Sequence, residues 1–404
     1  MTRSRATLAL ALFLALTGPM HVGASVRAEV LAEGLDFPTN MAFAPDGRIF
    51  FGEKDTGRIR VIEDGILRPE PFVTLPVVTD SPETGLLGLA IDPAFPREPW
   101  IYAYYSDATD RRNRVVRIRA HGNAGTERQV LFDANPVSGV HNGGDMAFGP
   151  DGKLYVAVGE GGDETRSQNP GNPGGKILRL NRDGSVPADD PLGPENPVFA
   201  LGIRNSFGLC FDPVGGALWE TENGPGSDDE INRIVAGGNY GWPEQLGPGG
   251  GPTFVDPALD FPRVIIPTGC AFSDEPVGGA SPSPPHPAGG TMFFGDFGEY
   301  RGASSDLYRI NLGPDLRTVV SHEIVATFPR GITDVAAGPD GALYVATADA
   351  IYRLGRGTVL APSPGEPRPS DGGTPSDGAT WALGALILAA FLALTLAFRL
   401  RARR

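Results

Sequence analysis

Short apolar runs, each broken by a turn containing proline, aspartate or glycine, recur along most of the chain. Five segments show a strand, a tight turn and a second strand: MAFAPDGRIFFG at 41, LAIDPAFPREPWIYAYY at 89, MAFGPDGKLYVAVG at 146, LCFDPVGGALWETENG at 209 and VAAGPDGALYVAT at 335. The 56 Gly and 39 Pro interrupt the sequence too often for long helices, while 41% hydrophobic residues suffice for a large core. The pattern therefore predicts an all-β protein.

The turn aspartates give this repeat its spacing. They are Asp46, Asp92, Asp151, Asp212 and Asp340. Successive positions lie roughly 45 to 65 residues apart, except for the last interval, which is about twice as long and contains a degenerate sixth copy, PTGCAFSDEP at 267. Six such units predict a six-bladed β-propeller over residues 29–357, because a two-sheet sandwich does not explain the repeat. Loops at one end of its central channel would converge on one pocket.

The two ends of the chain differ from this body. Residues 1–28 have the layout of a secretory signal peptide, with early arginines, an apolar run and small residues. A Pro/Gly/Ser-rich linker at 358–378 leads to an uncharged segment, 379–398, that is long enough to form a single transmembrane helix. The basic tail 399–404 is expected in the cytoplasm. We therefore expect an exported propeller anchored in the cytoplasmic membrane, with a cleaved sorting signal as the alternative for the tail.

The charge of the body narrows the choice of partners. The two ends contain seven arginines and no acidic residue, so residues 29–378 carry a formal net charge of −21, against −14 for the whole chain. Such acidity makes nucleic acid a poor partner. It is compatible with neutral sugars, metal cations or a basic partner, and also with plain solubility.

The chain has only two cysteines, Cys210 and Cys270, and export would place both in an oxidising compartment. They occupy first strands of successive units but are offset by one position, so they point to opposite faces of their own sheets. Packed sheets lie about 10 Å apart, which exceeds the reach of a disulfide unless the strands converge near the channel axis. A bridge and two free thiols are both open at this stage.

The segment VHNGGDM contains the first candidate for chemistry, His141. Gly143 and Gly144 would allow the backbone to approach a ligand closely. A histidine there is suited to accept a proton near neutral pH. The alternative is a polar residue that caps the strand.

Two further segments are richer in polar groups than turns require. In LGIRNSFGLCFDP, Arg204 and Asn205 precede an apolar strand, where a guanidinium could bind a carboxylate or form a structural ion pair. In TENGPGSDDEIN, a turn at Gly224 and Pro225 lies among four acids: Glu222, Asp228, Asp229 and Glu230. Oxygen ligands concentrated in a loop suit calcium. A solvated acidic loop is the alternative.

Taken together and in order, these motifs resemble a known family. HNGG followed by GPDGKLYVAVG, then GGKILRLNRDGSVPADDP, GIRNSFGLCFDP, TENGPGSDDEIN and GGNYGWP are similar to the glucose/sorbosone dehydrogenase family, and GLLGLAIDPAF at 85 belongs to the same pattern. The resemblance covers residues 29–357. It implies an exported six-bladed propeller that uses pyrroloquinoline quinone and calcium to oxidise sugars.

The resemblance also implies roles for individual residues. His141 would be the base that takes the sugar hydroxyl proton while hydride passes to the quinone. Arg204 and Asn205, with Asn223, would contact the cofactor, and Arg204 would also stabilise developing negative charge.

For the metal, the resemblance implies that the carbonyls of Gly224 and Pro225 bind the calcium that polarises the quinone. Asp229 and Glu230 would contribute to a second, structural calcium.

The chain departs from the family pattern at several positions. Before the last turn it has Gly331 and Thr333 around an isoleucine, where the family pattern has two arginines, with Arg330 one place away. Val140 replaces an acid before the histidine, and Glu83 stands where a cofactor-contacting glutamine is expected. The loss of two cationic clamps predicts weaker binding of a tricarboxylate cofactor.

Three functions fit this sequence. The first is quinone-dependent oxidation of an aldose or related sugar outside the cytoplasm, with electrons passed to a membrane acceptor. The second is a non-catalytic, calcium-binding surface propeller that binds a glycan or a protein. The third is a calcium-dependent lactonase.

Overall fold

The computed structural model describes residues 27–273, 290–298 and 304–355 of the 404-residue chain. In this part of the chain the strands form six antiparallel sheets, each with at least four strands. The first strands of successive sheets contact one another in a closed ring. The predicted six-bladed propeller is therefore confirmed, and each predicted turn aspartate lies between the first and second strands of its blade.

Blades 1 to 3 contain the strands that follow the N-terminal strand β1 (Arg27–Glu33). Blade 1 is β2 (Pro38–Phe43), β3 (Ile49–Glu53), β4 (Arg58–Glu63) and β5 (Ile66–Leu67), with β6 (Val73–Thr74) also paired to β4. Blade 2 is β7 (Leu86–Ile91), β8 (Trp100–Asp107), β9 (Arg112–His121) and β10 (Ala124–Pro136). Blade 3 is β11 (Gly143–Phe148), β12 (Leu154–Val158), β13 (Lys176–Leu180) and β14 (Val198–Leu201), with a 3₁₀ turn at Glu164–Arg166.

Blades 4 to 6 complete the ring. Blade 4 is β15 (Ser206–Phe211), β16 (Leu218–Glu222), β17 (Asp229–Ile234) and β18 (Leu259–Phe261). Blade 5 is β19 (Pro267–Phe272), β20 (Thr291–Asp296), β21 (Ser305–Leu312) and β22 (Val319–Phe328). Blade 6 is β23 (Ile332–Ala337), β24 (Leu343–Thr347) and β25 (Ala350–Gly355), with β1 as its outermost strand.

The two ends of the described chain close the ring together. Strand β1 pairs antiparallel with β25, from Arg27 opposite Gly355 to Glu33 opposite Ala350. It begins two residues before the expected start of the mature chain at Glu29. The predicted signal segment is otherwise outside the described residues, as are the linker, the transmembrane segment and the basic tail. In the described ranges, no helix is long and apolar enough to cross a membrane.

The hydrophobic core lies between neighbouring blades. Between blades 1 and 2, for example, Phe50 and Ile59 pack with Leu89 and Ile101, and all four are buried. Burying side chains of this size contributes about 1.5–3 kcal/mol each. Each blade packs against a neighbouring blade on both of its faces. The first three strands of a blade can therefore have apolar side chains on both faces.

The third residue of each first strand forms a ring around the channel axis. These residues are Asn40, Gly88, Asp145, Gly208, Gly269 and Asp334. Glycine is needed at 269, because a Cβ atom there would lie 2.0 Å from a carboxylate oxygen of Asp334. Asp145 Oδ2 accepts a hydrogen bond from Leu209 N (2.5 Å) and Asp334 Oδ2 accepts one from Met41 N (2.7 Å), so each buried aspartate links its blade to the next.

The first strands converge near the channel axis, which allows the two cysteines to form a disulfide. Cys210 on β15 and Cys270 on β19 form a disulfide, with their Cα atoms 5.7 Å apart. The first strands of blades 4 and 5 lie close together near the axis, so sheet spacing does not prevent the bridge. Of the two possibilities left by the sequence, the structure has the bridge.

Candidate active site

The residues before the first strand and after the second strand of every blade meet at one end of the channel, which we call the channel mouth. His141 precedes β11, Arg204 and Asn205 precede β15, and Asn223 and Gly224 follow β16. These five predicted site residues therefore lie at the same end of the propeller, although they are far apart in sequence.

The backbone around His141 has an unusual conformation. His141 has a left-handed φ of 55°, and its N–H donates to the carboxylate of Glu83 in blade 2. The glycines that follow have a packing role: Gly143 and Gly144 have positive φ values, and a Cβ atom on Gly144 would lie 2.4 Å from Leu87 Cβ. A Cβ atom on Gly143 would lie 2.5 Å from Gly159 N within blade 3, so packing accounts for both glycines without a ligand.

The imidazole of His141 is bonded on both sides. Its Nδ1 atom contacts Glu160 Oε1, and its Nε2 atom lies 2.8 Å from Arg204 Nη2. A guanidinium can only donate, so Nε2 must be the acceptor and Nδ1 carries the proton that is given to Glu160. The His141 side chain is 13% exposed. The unprotonated Nε2 atom of a carboxylate-oriented imidazole is suited to take a proton from a hydroxyl group.

Arg204 is the cation of this site. Its Nη1 atom donates to the carbonyl oxygens of Asn223 (2.7 Å) and Gly224 (3.0 Å), and its guanidinium lies 5.4 Å from the centre of a Trp242 ring. Its hydrogen-bond partners in the described chain are thus carbonyls and an imidazole. The Nε atom is buried without a hydrogen-bond partner, and burial lowers the pKa of the group.

The Asn205 side chain forms hydrogen bonds with groups of two neighbouring blades. Its Oδ1 atom accepts from Gly143 N (3.1 Å) and its Nδ2 atom donates to Glu83 (3.1 Å). Glu222 Oε1 accepts from the backbone N–H groups of Arg204 (2.9 Å) and Asn205 (2.8 Å). The buried Asn205 amide therefore joins blades 2, 3 and 4 and holds the loop that presents Arg204.

The predicted calcium residues do not all face the same way. Asp229 and Glu230 are neighbours on β17, so their side chains point to opposite faces. The Asp229 carboxylate accepts from Gly224 N (2.7 Å), Ile265 N (2.7 Å) and Ile266 N (2.8 Å), which fixes the turn that carries Gly224. Pro225 lies exposed in that turn.

Glu230 belongs instead to a row of acids across blade 4. Glu222, Glu230 and Asp260 occupy directly opposite positions on β16, β17 and β18, and we call them the carboxylate row. Glu220 lies on the same face as Glu222, two residues earlier on β16. Burial raises the pKa of Glu230 to about 7 and that of Glu220 to about 8. Like charges at opposite positions destabilise a sheet. Protonation of these carboxylates, or a cation bound to them, would remove the repulsion.

Two residues of the row, Glu222 and Glu230, line a cleft at the channel mouth. The cleft is narrow and is lined by Gly202, Arg204, Glu222, Asn223, Gly224, Asp228, Glu230, Tyr240, Trp242, Gln245 and Leu246. Buried oxygens of Glu220, Glu222 and Asp260 have no hydrogen-bond partner. Among the described residues, no three His, Cys, Asp or Glu side chains lie close enough together to hold a metal ion. A cation in this cleft would therefore combine carboxylates with backbone carbonyls or require a change of rotamer.

Sequence reasoning missed one residue of the site. Glu160 follows β12, as Asn223 follows β16, and in the propeller this position lies at the channel mouth. The segment AVGEGG contains an acid just after an apolar strand, and the blade repeat places that acid near His141. That proximity was detectable only after the strands had been assigned to blades.

Comparison with known proteins follows this geometry. Residues 35–356 match the family model described as glucose/sorbosone dehydrogenase. The chain is 36% identical to quinoprotein glucose dehydrogenase B of Acinetobacter calcoaceticus over 54% of this chain and 52% of that protein. It is 29% identical to an aldose sugar dehydrogenase of Escherichia coli over 82% and 92% of the two chains.

A solved structure supports the same conclusion. The fold matches the PQQ-bound form of an aldose sugar dehydrogenase from Streptomyces coelicolor with a TM-score of 0.69 and 31% identity, over 82% of this chain and 98% of that one. The chain belongs to the glucose/sorbosone dehydrogenase family, as its motifs predicted.

Proposed function

We propose that this protein is a quinone-dependent dehydrogenase that oxidises an aldose or a related sugar at a hydroxyl-bearing carbon, with pyrroloquinoline quinone and calcium as cofactors. One observation carries the proposal: His141 is held between Glu160 and Arg204, with Nε2 unprotonated, at the channel mouth. Oxidation of an alcohol requires removal of one proton and one hydride, and this imidazole is placed for the proton.

The protein residues have separate tasks in this proposal. His141 Nε2 takes the hydroxyl proton, and Glu160 stabilises the imidazolium that forms, as the acid of a triad does. The substrate hydroxyl must replace Arg204 at Nε2, which frees one side of the guanidinium. That side then stabilises negative charge on the bound groups. When bound, pyrroloquinoline quinone supplies the acceptor for the hydride.

The residues present fit an anionic cofactor at Arg204. The guanidinium is buried, it has a free Nε–H group, and it stacks on Trp242. A desolvated guanidinium of this kind binds carboxylates strongly. The Asn205 amide is already bonded to Glu83 and Gly143, so we assign it to positioning Arg204.

Calcium fits the cleft beside Arg204. The carboxylate row offers buried oxygens without partners, and the carbonyls of Asn223 and Gly224 face the same region as the guanidinium. Calcium prefers six to eight oxygen ligands of this mixed kind. The Asp229 carboxylate accepts three backbone hydrogen bonds and points to the other face of β17, so we propose Glu230 and Glu222 as the acidic ligands.

Reconstitution tests this function. The purified propeller, incubated with calcium and an excess of pyrroloquinoline quinone, should reduce an artificial electron acceptor when an aldose is added. Removal of calcium before reconstitution should prevent the activity, and addition of calcium should restore it. Activity that is equal with and without the quinone would contradict the proposal.

A second candidate function has its own support. Gly331 and Thr333 carry no charge where the family pattern has arginines, which would suit a propeller that binds a glycan or protein without redox chemistry. Failure of the folded, calcium-treated protein to change the quinone spectrum at any concentration would favour this alternative.

We also propose that the propeller lies outside the cytoplasmic membrane, where a membrane component could accept its electrons. The support is the sequence of residues 1–28 and 379–404, which carry the signal-peptide pattern and an apolar segment followed by arginines. Protease added to intact spheroplasts should digest the propeller. A membrane-bound propeller that survives this treatment would contradict the orientation.

A further inference from the structure

An aromatic pair lies at the channel mouth in the blades that do not carry the acid–base residues. Phe37 precedes β2 in blade 1 and Phe297 follows β20 in blade 5, and their ring centres are 5.8 Å apart. Both side chains are half-buried, so each ring keeps part of its surface accessible. In a closed ring of six blades, blade 1 is opposite blade 4 and blade 6 is opposite blade 3. Phe37 thus lies across the mouth from Arg204, and the pair joins blades 5 and 1 on either side of blade 6, which is opposite the blade of His141.

Gly331 of blade 6 allows this arrangement. A Cβ atom at Gly331 would lie 2.6 Å from the Phe297 ring, which is closer than real Cβ contacts. Phe297 therefore packs directly on the backbone at the position where a side chain would otherwise enter the mouth. The Phe297 ring occupies the space that a side chain at 331 would need.

A buried ammonium group accompanies the pair. Lys54 Nζ lies 4.7 Å from the centre of the Phe37 ring, and the Lys54 side chain is 6% exposed. Its carboxylate partner, Asp55, is much more exposed, at 44%. An ion pair with an exposed carboxylate contributes little stability. A ligand carboxylate could therefore replace Asp55 beside the Lys54 ammonium, which also contacts the Phe37 ring.

Continuous contacts join this side of the mouth to the acid–base residues. On one side, Leu86 N donates to Lys54 O (3.0 Å). Leu86 is three residues after Glu83, whose carboxylate accepts the hydrogen bond from His141 N. On the other side, Phe297 N donates to Ile266 O (2.9 Å).

From Ile266 the contacts continue to the cation of the site. Ile266 N donates to Asp229 (2.8 Å), and Asp229 accepts from Gly224 N (2.7 Å). The Gly224 carbonyl accepts from Arg204. The mouth is thus one connected rim with a polar half and an aromatic half.

We propose that Phe37, Phe297 and Lys54 form the second half of the ligand-binding surface and hold the ring system and one carboxylate of a planar aromatic acid. This inference rests on the proposed function, in which that ligand is the quinone cofactor. Flat aromatic faces favour planar rings, and a neutral sugar gives no role to the Lys54 ammonium. Stacking and one ammonium group would then supply part of the affinity that arginines at 331 and 333 would otherwise contribute.

Four variants test the surface without using catalysis. Phe297→Leu removes the ring but keeps most of the apolar volume, and Gly331→Ala should displace the ring without replacing any proposed contact residue. Lys54→Met removes the charge and keeps the stem. Asp55→Asn removes the competing carboxylate. Val320→Ala, at an exposed position on blade 5, is the matched control.

The readout is the dissociation constant for pyrroloquinoline quinone from its absorbance change, at fixed calcium and without sugar. Phe297→Leu and Gly331→Ala should weaken binding roughly 3- to 10-fold, the scale of an aromatic stacking contact. Lys54→Met should weaken it roughly 10-fold or more, the scale of a charged hydrogen bond. Asp55→Asn should tighten it. Melting temperatures identify variants that fail to fold, and the Asp55 variant keeps all packing intact.

Two results would overturn the inference, and they are distinguishable. If the wild type binds the quinone and the Phe297, Lys54 and Asp55 variants bind it equally well, the aromatic half is not part of the site while the proposed function stands. If the folded wild type does not bind the quinone at all, the proposed function and this inference fail together.

Discussion

His141 Nε2 accepts a hydrogen bond from Arg204 Nη2 at 2.8 Å, so the base and the cation of the site contact each other across blades 3 and 4. Glu160 on the other side of the ring fixes which nitrogen carries the proton. The relationship means that a hydroxyl group reaching Nε2 must displace the guanidinium. In the proposed function, binding of substrate and release of Arg204 are thereby coupled.

The first prediction concerns the base. His141→Ala should lower turnover by roughly 100-fold or more, the usual scale of a lost general base. Quinone affinity should change little, because the proposed cofactor contacts are on other residues. Steady-state kinetics and absorbance titration measure the two effects separately. His121→Ala, at an exposed histidine on β9, is the control, and equal losses in both variants would remove His141 from the chemistry.

The second prediction concerns calcium. Ligands that bind only the folded protein stabilise it by about 2.7 kcal/mol at 100 times their dissociation constant, so a chelator should lower the melting temperature. Glu230→Gln keeps an oxygen for Gly247 N but removes one charge of the carboxylate row. The variant should show a smaller calcium-dependent shift than the wild type. Glu127→Gln, at an exposed position, should behave like the wild type.

The sequence contains most of the fold. Each turn aspartate has a physical reason to lie between two strands, since tight turns need residues that tolerate their backbone angles. Five such turns and one double interval give six blades, although the fifth copy lacks the motif. The pairing of β1 with blade 6 was not predicted from the turns. Strand β1 has no turn aspartate, and its partner β25 is at the far end of the propeller sequence.

The candidate site was only partly predictable. His141 and Arg204 are rare residue types in distinctive motifs, and both lie at the mouth. The expected ligand roles of Asn205 and Asp229 depend on where their side chains point. In the structure, backbone N–H groups of neighbouring loops hold both residues, together with Glu83 in the case of Asn205. All of those contacts except that with Gly224 come from outside blade 4, so local sequence does not reveal them.

The third prediction concerns the disulfide. The bond between Cys210 and Cys270 closes a separation of 60 residues, for which the loss of chain entropy in the unfolded state predicts about 4 kcal/mol of stabilisation. Replacing both cysteines by serine should lower the free energy of unfolding in urea by an amount of that order. The unreduced, unfolded wild type should contain no titratable thiol. Two thiols per chain in that experiment would exclude the bridge.

The fourth prediction concerns pH. Burial raises the pKa of Asp334 to about 7, and burial together with the charge of Asp334 raises that of Asp145. Between the ordinary value of 3.8 and about 7, the folded protein then binds more protons than the unfolded chain. Stability should therefore fall as pH rises from about 4 to 7, by at most about 1.4 kcal/mol per pH unit for each group.

Urea unfolding at saturating calcium measures this slope, and Asp334→Asn should make it shallower. The matched control is Asp315→Asn on the surface, because hydrogen bonds from Thr318 lower the pKa of Asp315 to about 2. That variant should leave the slope above pH 5 unchanged. An Asp334→Asn variant whose slope equals that of the wild type would show that Asp334 is not held protonated.

Single-turnover reduction of the bound quinone tests the central claim most directly. The protein is loaded with calcium and one equivalent of bound pyrroloquinoline quinone, and an aldose is mixed in without any other electron acceptor. The account predicts that the spectrum changes to that of the reduced quinone, and that the change slows several-fold when the hydrogen on the oxidised carbon is replaced by deuterium. It further predicts that His141→Ala slows the change by roughly 100-fold or more. A bound quinone whose spectrum stays unchanged with every aldose tried would contradict the account.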